Sequence, residues 1–131
     1  MMFSHEKLNV YQRSLEFIEF VNKIKTSDKI RIDVFNQLER ASTSITLNIA
    51  EGTGKFTGRD KCRYYDIARG SAVESAACLD ILTLKEMISE NYKNEGKTIL
   101  KEIVSMLFGL IRSSSDRTYE NELEYKSSKN E

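Results

Sequence analysis

Apolar positions recur along this chain at three- and four-residue steps, the spacing of helices with one side turned inward. In residues 4–25 the stripe is Leu8, Tyr11, Leu15, Ile18, Val21 and Ile24, widened by Phe17 and Phe20, with Ser4 placed to cap the start. Thr26-Ser27-Asp28 reads as a break. A second helix over residues 32–50 carries Val34, Leu38, Ala41, Ile45, Asn48 and Ile49 on its main face, with Arg40, Ser44, Leu47 and Glu51 alongside. Gly52 and Gly54 are expected to end it, since glycine accepts the left-handed conformation common at helix C-termini. Residues 52–58, Gly-Thr-Gly-Lys-Phe-Thr-Gly, form the first clear loop.

The third pattern runs over residues 59–91, opened by a Thr57/Asp60 capping pair. A helix of that length spans ~45 Å, and it is apolar on two sides. Tyr64, Ala68, Ser71, Ser75, Leu79 and Leu82 make one face; Gly70, Val73, Ala77, Ile81, Leu84 and Ile88 make the other. A helix greasy on two faces is covered on two sides. The second cover is either central placement within the chain or another subunit, and a four-helix domain has little room for a central helix. Gly70, Val73, Ala77, Ile81 and Leu84 are therefore the candidate oligomer interface. Gly70 and, in the fourth helix, Gly109 suggest close helix approach, because glycine costs about 1 kcal/mol against alanine inside a helix. The fourth pattern, residues 95–113, buries Ile99, Ile103, Met106, Leu107, Leu110 and Ile111. The expected architecture is all-α, an antiparallel up-and-down four-helix bundle over residues 1–118. A polar tail follows over 119–131, expected to be frayed or disordered, with a helical extension as the alternative.

Composition changes this picture little. The 131 residues hold 40% apolar and 31% charged side chains and no proline, which favours long helices joined by few connections. Twenty basic and twenty acidic residues cancel, so the general basic excess of a dedicated nucleic-acid binder is missing. Cys62 and Cys78 stand sixteen positions apart on one expected helix, ~24 Å by the helical rise, too far for a disulfide. They suit a reducing compartment. No apolar leader and no run of membrane-spanning length is present, so a cytoplasmic location and no membrane partner are expected.

Arg40-Ala41 with Ser44, Asn48-Ile49-Ala50-Glu51-Gly52, and Ala68-Arg69-Gly70-Ser71 with Glu74 together resemble a bacterial family of four-helix-bundle proteins. Some of its members are encoded within intervening sequences of 23S ribosomal RNA genes, and a related branch comprises the accessory proteins of diversity-generating retroelements. The opening Leu8-Asn9-Val10-Tyr11-Gln12 fits the same pattern, and the likeness extends over residues 8–90. It implies an antiparallel bundle, a pentameric ring, and binding rather than catalysis. In the retroelement branch the partners are nucleic acid and a reverse transcriptase, met by a markedly basic surface, whereas this chain is neutral.

Candidate chemistry is sparse. The polar set Arg40, Asn48, Glu51, Ser71 and Glu74 admits a paired-carboxylate reading, but fits better a hydrogen-bonded network fixing the register of helices two and three, with Arg40 as partner for Glu74. Lys55, Arg59, Lys61, Arg63 and Arg69, interleaved with Phe56, Tyr64 and Tyr65, form the candidate nucleic-acid patch, since bases stack on aromatics and phosphates meet cations. Against it stand Glu51, Asp60 and Asp66, and an ordinary solvated helix start with core tyrosines fits the same residues slightly better. His5 is the only histidine, so no metal site and no Ser-His or Cys-His nucleophile is expected. The glycine-rich loop lacks the spacing of a phosphate loop and follows a helix. The sequence predicts no catalytic residue, cofactor or small-molecule substrate. It predicts a homo-oligomeric, non-enzymatic interaction or scaffold protein, with RNA, DNA or a nucleic-acid enzyme as candidate partner. The alternative is a purely structural protein–protein module.

Overall fold

The structure, a computed structural model, describes residues 1–24 and 32–129, with side chains for 1–24 and 33–115. A 3-10 turn, Ser4–Lys7, is followed by four α-helices: α1 (Asn9–Ile24), α2 (Ile32–Thr53), α3 (Gly58–Leu84) and α4 (Glu90–Lys129). The break expected at Thr26-Ser27-Asp28 lies outside the described residues. α1 packs on α2 and α4, α2 on α3, and α3 on α4, so α1 and α3 sit diagonally across the core. Phe17, Leu38, Ile45, Ile49, Leu79, Leu82, Ile103 and Leu107 fill that core.

Several boundaries differ from the sequence reading. Ser4 begins a separate 3-10 turn, and the chain is extended again at Leu8 before α1 starts. The inward stripe of α1 is Val10, Ser14, Phe17, Val21 and Ile24, while Leu15 is 37% exposed. Ser14 is inward because its hydroxyl donates to the Tyr11 carbonyl at 2.6 Å and accepts from Thr46 of α2 at 2.9 Å.

Gly52 does not end α2; the helix runs on to Thr53, and no described glycine has positive φ. Its bare Cα is needed for another reason: a Cβ there would meet Tyr64 Cβ and Tyr65 Cε1 at 3.0 Å. The end of α2 is held by Lys61, whose Nζ donates to the Thr53 carbonyl at 2.8 Å.

α3 stops at Leu84 rather than 91, and α4 starts at Glu90 rather than 95. The stop is a Schellman turn built without glycine. Met87 N–H donates to Leu82 O and Glu86 N–H to Thr83 O, both at 2.9 Å, with Glu86 at φ 60°. Ser89 then caps α4, accepting from Tyr92 N–H at 3.0 Å. The expected cap of α3 is in place, Thr57 accepting from Asp60 N–H at 3.1 Å. Beyond 118 the helical extension, not the frayed end, describes the chain as far as Lys129.

The close-approach glycine of α4 is Gly96, not Gly109. A Cβ at Gly96 would fall 2.7 Å from both Leu79 Cδ1 and Phe20 Cε1, whereas one at Gly109 or Gly70 would meet nothing within 4 Å.

Candidate functional site

The outer side of α3, away from α1, carries the residues expected at a subunit interface. Val73 is 54% exposed, Ile81 40% and Leu84 86%; Gly70 and Ala77 are exposed beside them. Ile67 of α3, Leu47 of α2 and Phe108 of α4 are also exposed, so large apolar side chains stand on all three helices. Ile88 is half-buried and belongs to the connector after α3 rather than to its outer face. Between α3 and α4 lies an open groove of about 480 Å³.

Of the expected polar set, Asn48 and Ser71 meet in one seam with Ser44 and Ser75, while Arg40, Glu51 and Glu74 lie outside it. Asn48 Nδ2 donates to the Ser44 carbonyl at 2.8 Å and to Ser44 Oγ at 3.0 Å. Ser44 Oγ and Ser71 Oγ are 2.8 Å apart and join α2 to α3; Ser75 donates to the Ser71 carbonyl at 2.9 Å. Glu74 is exposed, and its contact is Gln37 Nε2 at 3.4 Å, not Arg40. A solvated carboxylate needs no buried cation, and Arg40 lines an open hollow on α2 instead. Glu51 pairs outward with Lys55 at 3.5 Å. The two carboxylates thus do not converge.

The basic cluster is divided by its own neighbours. Lys55, besides its pair with Glu51, sits over the Tyr64 ring at 4.9 Å. Lys61 is committed to the end of α2. Arg69 pairs with Asp66 at 2.9 Å and covers the Phe108 ring at 5.6 Å. Arg59 and Arg63, one turn apart at the start of α3, are exposed and have no ion pair among the described residues. Phe56, in the loop before them, is fully exposed at 102%. Tyr65 is buried, as the reading of a solvated helix start with core tyrosines has it; its hydroxyl stands 2.9 Å from Thr53 Oγ1.

Among the described residues no three His, Cys, Asp or Glu side chains gather as a metal site, and no helix is long and apolar enough to cross a membrane. Cys62 and Cys78 are free; Cys62 reaches α4, its Sγ lying 3.4 Å from both the Ile111 carbonyl and Ser115 Oγ.

Four helices joined this way, with an apolar outer surface and a serine-centred seam, define an all-α four-helix class of protein. The chain belongs to the family of 23S rRNA-intervening sequence proteins, whose model matches residues 6–109. It is also similar to a protein of unknown function from the S23 ribosomal protein family of Bacteroides thetaiotaomicron VPI-5482, known from a crystal structure at 1.70 Å resolution. That likeness has 28% identity and a TM-score of 0.73, covering 78% of this chain and 97% of the other. No curated protein matches the chain.

Proposed function

We propose that this protein is a non-enzymatic interaction or scaffold module, an antiparallel up-and-down bundle that assembles with copies of itself through the outer face of α3. The observation that carries the reading is the row Val73, Ile81 and Leu84, open to solvent on one helix with Gly70 and Ala77 between and beside them. Contiguous exposed apolar surface marks an interaction site more often than an idle one. Small residues in the row let a neighbouring helix come near the short end of the ~8–10 Å packing range. A head-to-tail contact makes a ring when the rotation between copies closes, and the family resemblance points to five copies.

A second reading, contact with RNA or DNA at the start of α3, is supported by one specific arrangement. Phe56 is wholly exposed as a stacking surface, followed by Arg59 and Arg63 with no acid paired to either among the described residues. The remaining cations of the cluster are already engaged, so any such contact in one subunit is weak and gains from repetition around a ring.

Native mass spectrometry tests both. The unaltered chain is expected at a multiple of its single-chain mass, and Ala77→Glu with Leu84→Glu at the single mass. Single-stranded oligonucleotide added to the same sample is expected to shift the assembled species, less so for Arg59→Glu with Arg63→Glu. A chain that stays single at high micromolar concentration overturns the assembly reading.

A further inference from the structure

α4 is longer than the helices it packs against. Asp80 of α3 is ion-paired with Lys97, and Cys62 of α3 meets Ile111 and Ser115, so α3 and α4 run in opposite directions. α3 begins at Gly58, one turn before Cys62, which sets its first residue opposite position 119 or so. α4 continues to Lys129, about 15 Å further at the helical rise. This last stretch of α4 continues past the first residue of α3. The family match ends at residue 109, so the overhang lies outside the region matched.

The overhang has a distinctive composition. Over residues 119–129 it reads Tyr-Glu-Asn-Glu-Leu-Glu-Tyr-Lys-Ser-Ser-Lys, three carboxylates in its first half and two lysines at its end, and Tyr119 and Leu123 are four positions apart. The groove between α3 and α4 has the complementary character. Its floor is Ala72, Ala76, Leu100 and Val104, and its walls are the exposed Val73 and Phe108. On its rim Lys97 is paired with Asp80, Arg69 with Asp66, and Lys101 has no partner among the described residues. From Lys97 to Phe108 the groove is ~17 Å long, close to the length of the overhang. A chain's own overhang cannot reach it, because it continues the same helix that lines the groove.

Resting on the assembly reading above, we propose that the α3–α4 groove of one copy receives the acidic end of α4, residues 119–129, from a second copy. The apolar Leu123 and Tyr119 of this segment match the groove's apolar floor in character, and its carboxylates match the uncommitted Lys101. The contact joins two different surfaces, so it propagates from copy to copy and gives a ring where the rotation between copies closes.

Charge exchange in the full-length chain tests this, with sedimentation velocity across a concentration series as readout and circular dichroism to show that the helices persist. Lys101→Glu is expected to weaken assembly about fivefold, the upper end for one exposed charge pair. Glu120→Lys with Glu124→Lys is expected to do the same, and Leu123→Asp to weaken it further. Combining Lys101→Glu with Glu120→Lys and Glu124→Lys is expected to restore assembly to near the unaltered value. If the tail variants assemble normally while Ala77→Glu with Leu84→Glu comes apart, the tail contact is overturned and the α3 interface stands. The tail contact is likewise overturned if the combined variant is no better than the weaker of its two parents, as when another protein is the groove's occupant. A chain that never assembles overturns both.

Discussion

Three glycines show how differently the same residue is used. At Gly96 a side chain has no room, because Phe20 and Leu79 already fill the space. At Gly52 a Cβ presses on Tyr64 and the buried Tyr65. At Gly70 nothing stands nearby, and the helix bears the entropic cost of glycine with no compensation inside one chain. Gly96→Ala is therefore expected to lower stability by about 1–3 kcal/mol through overpacking. Gly70→Ala is expected to raise single-chain stability by about 0.5–1 kcal/mol while weakening any close packing of a second copy on α3. Urea unfolding, read beside the assembly state, separates the two effects. Periodicity located glycines inside helices but could not say which one faced a neighbour, because that depends on which helices cross at that level.

At the level of helices, the connection between α3 and α4 is where the pattern was least legible. Apolar residues continue through Leu84, Met87 and Ile88 at helical spacing, and no glycine or proline interrupts them. The chain nevertheless turns, with Glu86 taking the left-handed conformation that glycine usually supplies. For a side chain bearing a Cβ that conformation costs about 1–2 kcal/mol, partly returned by the two Schellman bonds and by Met87 packing on the core. Glu86→Gly is expected to stabilise the protein by ~1 kcal/mol, raising its melting temperature by several degrees in calorimetry. The Thr57/Asp60 start of α3, by contrast, was fully legible, since the side chain, its spacing and the following apolar run all name the same structure. The Arg40–Glu74 pair was not, because a helical wheel ranks positions on one helix and cannot show that Glu74 faces water across from Gln37.

For the whole molecule, helix number, helix order and the two-sided character of α3 followed from periodicity and the lack of proline. The serine-centred seam of Ser44, Asn48, Ser71 and Ser75 was only half visible, since small hydroxyls look like spacers until two helices meet. Titration offers a check on the packed state. Burial holds the phenols of Tyr65 and Tyr92 above the ordinary tyrosine value, and burial with the nearby Glu74 carboxylate raises the Cys78 thiol. All three stay neutral in the fold longer than in the unfolded chain, so their contribution is complete below the unfolded pKa values and is lost as pH rises through the folded ones. Stability is expected to hold through neutral pH and to fall from about pH 8.5 upward, first through Cys78 and then, near pH 10, through the tyrosines. Cys78→Ala should delay the first part of that decline in pH-dependent chemical unfolding.

The missing side chain at Gly96 also acts as a notch. Phe20 and Leu79 seat in it from two other helices, and a slip of α4 by one residue would bring Glu95 or Lys97 into a space that holds neither. The long helix is thereby indexed along its axis, and its far end stands at a set distance beyond the start of α3, as a ruler fixed at one mark does.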